Sequence, residues 1–177
     1  TTLDVRDATP PAPVLPVKAP ARAPNILIIL LDDMGFGQSS AFGGPVHMPA
    51  LERLAAQGDR YNNFHTTALC SPTRAALLTG RNHHNVETGS IMESATVFPG
   101  DTGRRPASAA PIAEVLRLNG YVTGAFGKWH ETPAADVSPA GPFDRWPTRS
   151  GFDKFYGFVA GETNQWSPNI YDGTSHV

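Results

Sequence analysis

The clearest hydrophobic pattern in the chain is a short apolar run over residues 25–31. It reads Asn-Ile-Leu-Ile-Ile-Leu-Leu and has the length of a strand. Because the run is continuous, it predicts a strand buried on both faces, as in a parallel sheet covered by helices. Asp32 and Asp33 follow it directly. Two carboxylates at the carboxyl end of such a strand predict a site for a hard cation, although paired aspartates also occur in solvated turns.

Weaker hydrophobic patterns predict further helices and strands along the chain. A proline start and a glycine stop predict a helix over residues 49–58, and weak alternation predicts a second strand over 60–66. Apolar periodicity predicts a helix over 108–119, capped by Ser108 or a neighbour, and 121–127 has the composition of a third strand. The order of strands and helices predicts an α/β fold with a parallel sheet covered by helices.

A further helix is predicted to start beside the only cysteine, Cys70. Pro72 suits the first helical position and Ser71 the cap, while Gly80 ends the helix in a left-handed conformation. Cys70 then lies at a helix N-terminus, where free N–H groups and the helix dipole favour anions. Arg74, one turn later, can fold back towards it. The pattern therefore predicts a site that attacks or holds an oxyanion.

The third predicted strand ends in Lys128-Trp129-His130. Side chains two residues apart on a strand project to the same face. Lys128 and His130 are therefore expected to enter one pocket, while Trp129 packs behind them.

Composition narrows the class of protein. The 177 residues, with a formal net charge of −2, suffice for one domain and lack the basic footprint of a nucleic-acid-binding protein. A single cysteine excludes an intrachain disulfide, and no apolar run approaches the roughly 18 residues of a transmembrane helix. Residues 1–24 are proline-rich and are predicted to form an extended leader, with a disordered tail as the alternative, before a domain over 25–177. The compartment, whether periplasmic, secreted or cytoplasmic, stays open.

Two segments resemble the sulfatase family. Residues 68–80, which contain Cys-Ser-Pro-Thr-Arg and Leu-Leu-Thr-Gly, are similar to the signature C-x-P-x-R, and residues 120–130 are similar to the second signature G-Y-x-T-x-x-x-G-K-x-H. The resemblance implies the alkaline-phosphatase-like sulfatase fold, an α/β fold with a mixed, largely parallel sheet and helices on both faces. It implies hydrolysis of sulfate monoesters. It also implies that a maturation enzyme converts Cys70 to formylglycine, whose hydrated aldehyde is the nucleophile.

The family also implies roles for the other matched residues. Asp32 and Asp33 would bind Ca²⁺, with Mg²⁺ as the alternative, together with an oxygen of the modified Cys70. Arg74 would hold and polarise the nucleophile, and Lys128 would contact the nucleophile or a sulfate oxygen. His130 would hydrogen-bond the second hydroxyl of the hydrate and assist release of sulfate.

The resemblance has a limit, because sulfatase catalytic domains are much longer than this chain. The family takes an Asp-Asn ligand pair, another lysine and another histidine from further along the sequence, and no Asp-Asn follows His130 here. The chain is therefore expected to be the N-terminal part of a catalytic domain, inactive without the C-terminal remainder. Glu131 is a second departure, since many relatives carry an apolar residue there.

Two other functions compete with a formylglycine sulfatase that acts on an aryl or carbohydrate sulfate. One is a phosphate or phosphonate monoester hydrolase of the same superfamily, because the same cradle suits either tetrahedral anion. The other is a non-catalytic fragment in which Cys70 remains a thiol.

Overall fold

The computed structural model describes residues 4–7 and 16–177. In this part of the chain the α-helices are α1 (Pro49–Gln57), α2 (Cys70–Thr79) and α3 (Ile112–Leu118), and the strands are β1 (Gly124–Lys128), β2 (Lys154–Phe158), β3 (Tyr171–Asp172) and β4 (Ser175–His176). Short 3₁₀ helices lie at Val5–Asp7, Ser40–Phe42, His83–Val86, Met92–Ser94, Ala134–Asp136 and Pro147–Arg149. Among the described residues, no helix is long and apolar enough to cross a membrane.

The four strands form one mixed sheet in the order β1-β2-β3-β4. β1 and β2 are parallel, with Gly124 opposite Lys154 and Lys128 opposite Phe158, and the other two pairings are antiparallel. The predicted mixed α/β sheet is confirmed. The third predicted strand is also present, although it begins at Gly124 and continues through Lys128.

The core of the sheet is aromatic. Trp146 is fully buried, its ring packs edge-on against Phe143 and Tyr171, and its indole N–H donates to the Asp136 carbonyl. Trp129 packs in the same core, as predicted. This core fixes the end of β1, because Trp129 immediately follows Lys128. The buried members of the cluster are Trp129, Trp146, Phe155, Val159 and Tyr171.

The helices begin and end close to their predicted positions. α1 starts at Pro49 and ends before Gly58. Gly80 ends α2 with φ of 64° and donates its N–H to the Ala76 carbonyl. α3 is shorter than predicted, because Pro111 rather than Ser108 occupies its N-cap.

The first two predicted strands are wrong for this structure. Residues 25–31 and 60–66 form no strand among the described residues. The side chains at 26–31 are 40–83 % exposed, and Tyr61 and Phe64 are also exposed. A strand buried on both faces needs neighbouring strands and two covering layers, and the described residues supply neither here.

Part of the predicted leader lies outside the described residues, namely 1–3 and 8–15. Residues 16–24 form no helix or strand, and Ala19 donates its N–H to the Gly120 carbonyl at 3.3 Å. The division at residue 24 stays a prediction.

Candidate active site and metal centre

Cys70 is the first residue of α2 and is half-buried. Leu69, with extended backbone, occupies the N-cap, so the prediction that Ser71 caps the helix is wrong. The reason is tertiary: Ser71 is fully buried, and its hydroxyl donates to the His130 carbonyl at 2.8 Å. The expected placement of Cys70 at a helix N-terminus is nevertheless present.

Arg74 contacts both Asp32 and the end of strand β1. Its Nη1 donates to the Lys128 carbonyl at 2.6 Å and its Nη2 to Oδ1 of Asp32 at 3.2 Å. The side chain is only 11 % exposed, so this ion pair is shielded from water on the arginine side. The guanidinium thus lies between the end of β1 and the aspartates.

Lys128 reaches the same carboxylate from the end of β1. Its Nζ lies 2.8 Å from Oδ2 of Asp32 and 3.3 Å from Sγ of Cys70. Burial disfavours the charged ammonium, but the hydrogen bonds with Asp32 and Cys70 outweigh it and raise the pKa of Lys128 above its usual value. A cation therefore stands directly beside position 70.

The two aspartates and Cys70 form the candidate metal centre. One potential ligand atom from each of Asp32, Asp33 and Cys70 lies within 4.8 Å of the others. Partial burial opposes ionisation of Asp32, but hydrogen bonds from Lys128 and Arg74 outweigh it and hold the pKa of this carboxyl below its ordinary value. The donor set fits a hard divalent cation once position 70 offers an oxygen, because such cations prefer carboxylate and other oxygen ligands.

A cleft of about 390 Å³ opens over this cluster. Residues 30–35 line one side of it, and residues 66–70 with Arg74 line the other. Asp33 lies in this wall with φ of 53°, in the left-handed region, which a residue other than glycine occupies at a cost of about 1–3 kcal/mol.

His130 is held differently from the other predicted site residues. It is 4 % exposed, its Nε2 lies 2.7 Å from Oε2 of Glu93, and its Nδ1 is buried without a hydrogen-bond partner among the described residues. Its backbone has φ of 55°, with the N–H bonded to Val159 and the carbonyl to Ser71. The structure therefore brings Cys70, Asp32, Asp33, Arg74 and Lys128 together, and it places the His130 ring against Glu93.

Two acidic residues at this site escaped the sequence analysis. Glu93 lies in the patternless stretch between α2 and α3, so no local signal pointed to it. Glu131 was noted only as a departure from the family pattern. Its Oε1 is buried without a hydrogen-bond partner in the described chain, and burial raises its pKa well above the usual value, although Arg105 and Arg74 oppose this.

Comparison with known proteins identifies the family. The family model for sulfatases matches residues 24–176. Human arylsulfatase A is 42 % identical over 141 residues, which are 78 % of this chain and 26 % of that protein. Mouse steryl-sulfatase is 35 % identical over 162 residues, which are 89 % of this chain and 25 % of that protein. The chain thus spans about a quarter of the length of these relatives.

Solved structures show the same relationship. The PsFucS1 sulfatase from Pseudoalteromonas sp. aligns with a TM-score of 0.61 and 27 % identity, over 80 % of this chain and 27 % of that one. The structure of Ps i-CgsB in complex with k-i-k-neocarrahexaose aligns with a TM-score of 0.59 and 26 % identity, over 82 % of this chain and 35 % of the other. The chain belongs to the sulfatase family and has part of its alkaline-phosphatase-like fold.

Proposed function

We propose that this chain is the N-terminal part of the catalytic domain of a formylglycine-dependent sulfatase, which cleaves sulfate monoesters. The observation that carries the proposal is the position of Lys128, whose Nζ contacts both the Asp32 carboxylate at 2.8 Å and Sγ of Cys70 at 3.3 Å. The side chain of Arg74 binds the same carboxylate. A nucleophile position, a cation-binding carboxylate and two fixed cations meet at one point, which suits an anionic ester.

Each residue has a proposed role that follows from its chemistry. Asp32 and Asp33 would hold Ca²⁺, with Mg²⁺ as the alternative, together with an oxygen at position 70. When present, the metal and formylglycine supply a hydroxyl nucleophile of lowered pKa. Lys128 and Arg74 orient the ester and neutralise charge on its sulfonyl oxygens. His130 accepts a proton within the site.

The number of ligands that the metal needs supports a contribution from further residues to its coordination. Ca²⁺ takes about 6–8 oxygen ligands, whereas the cluster found here has three members, Asp32, Asp33 and Cys70. We therefore propose that a C-terminal remainder of the domain supplies the other ligands. The exposed apolar segment 26–31 supports this, since contiguous exposed apolar surface is typical of an interaction surface. The 177 residues alone are expected to be inactive.

The names of the relatives support a substrate class. The relatives are named for aryl and steryl sulfates, and one solved neighbour is described with a bound neocarrahexaose. We propose an aryl or carbohydrate sulfate ester as the substrate class of this protein. Lys128 and Arg74 could bind the tetrahedral anion of a phosphate ester as well as that of a sulfate ester. Turnover of a sulfate ester and of a phosphate ester must therefore be compared directly.

The decisive experiment is mass spectrometry of the peptide that contains Cys70, after co-expression with a formylglycine-generating enzyme. The aldehyde is expected at position 70, and its absence under conditions that modify a known sulfatase would contradict the proposal. Cys70→Ala is the matched control. In parallel, 4-nitrophenyl sulfate and 4-nitrophenyl phosphate would be assayed with this chain and with a polypeptide that continues beyond Val177. Equal turnover by both polypeptides would refute the need for further ligands, and a preference for phosphate would refute the sulfatase assignment.

A further inference from the structure

Glu93 and His130 form a close pair beside the candidate active site. The carboxylate Oε2 of Glu93 lies 2.7 Å from Nε2 of His130. The histidine is 4 % exposed, whereas the Glu93 side chain is 46 % exposed. The pair therefore has a buried imidazole end and a solvated carboxylate end.

Ser71, the residue that follows Cys70, is hydrogen-bonded to the backbone at or next to both members of this pair. Its buried hydroxyl donates to the His130 carbonyl at 2.8 Å and accepts the Met92 N–H at 3.4 Å. Met92 opens the 3₁₀ helix that carries Glu93. One side chain next to the proposed nucleophile thus links the backbones of the two partners.

Gly161 encloses the pair from another side. A Cβ built there would lie 2.6 Å from Cε1 and Nε2 of His130 and 3.2 Å from Oε1 of Glu93. No side chain fits at this position without moving the imidazole. The imidazole therefore occupies the space that a side chain at position 161 would need.

The protonation states at this pair follow from chemistry. Partial burial disfavours the charged form of Glu93, but its hydrogen bonds with His130 and with backbone N–H groups lower its pKa. An ionised carboxylate only accepts hydrogen bonds. The shared hydrogen must then lie on Nε2, and the neutral ring has its lone pair on Nδ1, which is buried and without a partner among the described residues.

We propose that Glu93 is a positioning residue, which fixes His130 as the Nε2–H tautomer and so makes Nδ1 the proton acceptor of the active site. Nδ1 takes up one proton from an O–H group in the site, and the electron pair of the broken O–H bond stays on that oxygen. The ring becomes an imidazolium, and the Glu93 carboxylate stabilises that charge through the hydrogen bond to Nε2. A carboxylate that orients a histidine in this way is a general device for setting its tautomer. The use of Nδ1 in catalysis rests on the proposed sulfatase function, whereas the tautomer is a property of this chain alone.

The test is NMR spectroscopy of the ¹⁵N-labelled 177-residue chain at about pH 8, above the ordinary pKa of histidine. Correlations from the ring protons to both nitrogens identify the tautomer, and the spectrum of His130→Gln assigns the signals. We expect hydrogen on Nε2 in the wild type and loss of this preference in Glu93→Ala, which removes the acceptor. Hydrogen on Nδ1 in the wild type, or an unchanged tautomer in Glu93→Ala, would overturn the inference.

A charge-matched control and a second variant complete the experiment. Glu162→Gln removes the same charge from an exposed carboxyl near Gly161, and it should leave the tautomer unchanged. Gly161→Ala should displace the ring from Glu93 and alter the tautomer without changing any charge. Retention of the wild-type spectrum in Gly161→Ala would also count against the geometry.

Activity supplies a separate readout. In a sulfatase-active polypeptide that contains these residues, Glu93→Gln should lower kcat by about 10–100-fold and leave KM nearly unchanged. An unchanged kcat would refute the catalytic part of the inference. A confirmed tautomer in a chain whose Cys70 is never modified would instead refute the proposed function, so the two failures are distinguishable.

Discussion

Lys128 donates from Nζ to Oδ2 of Asp32 at 2.8 Å, across a separation of 96 residues. The second oxygen of the same carboxylate accepts from Arg74 at 3.2 Å. Both cationic side chains are nearly buried, with 12 % and 11 % exposure. Asp32 is therefore the residue through which the end of the 25–31 segment, helix α2 and strand β1 are joined.

This contact predicts a specific loss of stability in acid. A carboxyl whose pKa is lower in the folded than in the unfolded chain stabilises the fold above its unfolded pKa, and the stabilisation disappears as pH falls through the folded value. Because the pKa of Asp32 is lowered, the wild type should lose more free energy of unfolding than Asp32→Asn between about pH 5 and about pH 2. Urea denaturation with a chelator present measures this difference.

Asp59→Asn is the matched control for that series, since Asp59 is exposed and forms no ion pair with the described residues. Its pH dependence should follow the wild type. Parallel curves for the wild type and Asp32→Asn would show that the ion pairs of Asp32 contribute nothing to stability.

The pairing of β1 with β2 leads to a prediction at Gly157. This residue pairs with Gly127 in the parallel ladder, and a Cβ at Gly157 would lie only 1.9 Å from the Gly127 carbonyl oxygen. Because the clash is with backbone, Gly157→Ala should lower the free energy of unfolding by about 3 kcal/mol. Gly37→Ala, with nothing within 4 Å of its Cβ, should be nearly neutral. Equal urea midpoints for the two variants would contradict the claim that there is no room for a Cβ between β1 and β2 at Gly157.

The Ser71 hydroxyl provides a test of the link between α2 and His130. Ser71→Ala leaves the buried His130 carbonyl and the Met92 N–H without their partner, at a cost of about 1–3 kcal/mol. Ser94→Ala removes a hydroxyl from an exposed serine and should change the free energy of unfolding little. If urea denaturation gave the two variants the same stability, the hydroxyl of Ser71 would not hold these elements together.

Local signals in the sequence were sufficient for most helix ends. They also selected residues that the structure brings together with Cys70, namely Asp32, Asp33, Arg74 and Lys128. Pro49 and Gly58 bound α1, and Gly80 ends α2, because these residues act on the backbone at their own positions. The segments 25–31 and 60–66 were misassigned for the opposite reason. A segment forms a strand only where a neighbouring strand completes its backbone hydrogen bonds. The composition of the segment does not show whether that neighbouring strand is present.

Tertiary contacts account for the parts of the site that sequence reasoning missed. Ser71 has the local chemistry of a cap, yet its hydroxyl is used by His130. Glu93 pairs with His130 across 37 positions, and no spacing rule connects them. The left-handed backbone at Asp33 and His130 was not predicted either. Aspartate and histidine are enriched in this region among residues other than glycine, but the sequence does not show which of them adopts it.

Glu131 should make stability depend on pH in the opposite sense to Asp32. Burial raises the pKa of its carboxyl, so its contribution to stability is fully present below the unfolded pKa of about 4.3 and is lost as pH rises through the folded value. Glu131→Gln should therefore gain stability relative to the wild type as pH rises above about 4.3, the unfolded pKa of a glutamate. Glu162→Gln, at an exposed position, should show no such gain. A constant difference between the wild type and Glu131→Gln over this range would mean that the carboxyl is not desolvated.

Divalent cations should compete with Lys128 for Asp32. Since Nζ of Lys128 occupies Oδ2 of that carboxylate, Lys128→Met frees one oxygen and removes a like charge from the neighbourhood of the metal. The affinity for Ca²⁺ should rise by roughly tenfold, or about 1.4 kcal/mol, which is within the range for one unit charge at short distance. Isothermal titration calorimetry with CaCl₂ and MgCl₂ measures this change and the preference between the two ions, in a polypeptide that continues beyond Val177 and has formylglycine at position 70.

The controls for this titration distinguish the effect of a charge beside Asp32, Asp33 and Cys70 from the effect of a charge elsewhere in the protein. Lys154→Met removes the same charge from a lysine that pairs with Asp172 instead, and it should leave the affinity unchanged. Asp32→Asn and Asp33→Asn should each abolish binding, because the remaining ligands are too few for a hard cation. Binding that survives both substitutions would place the metal elsewhere in the protein. An affinity that falls in Lys128→Met would mean that the lysine holds Asp32 in its ligating position more than it competes for its oxygens.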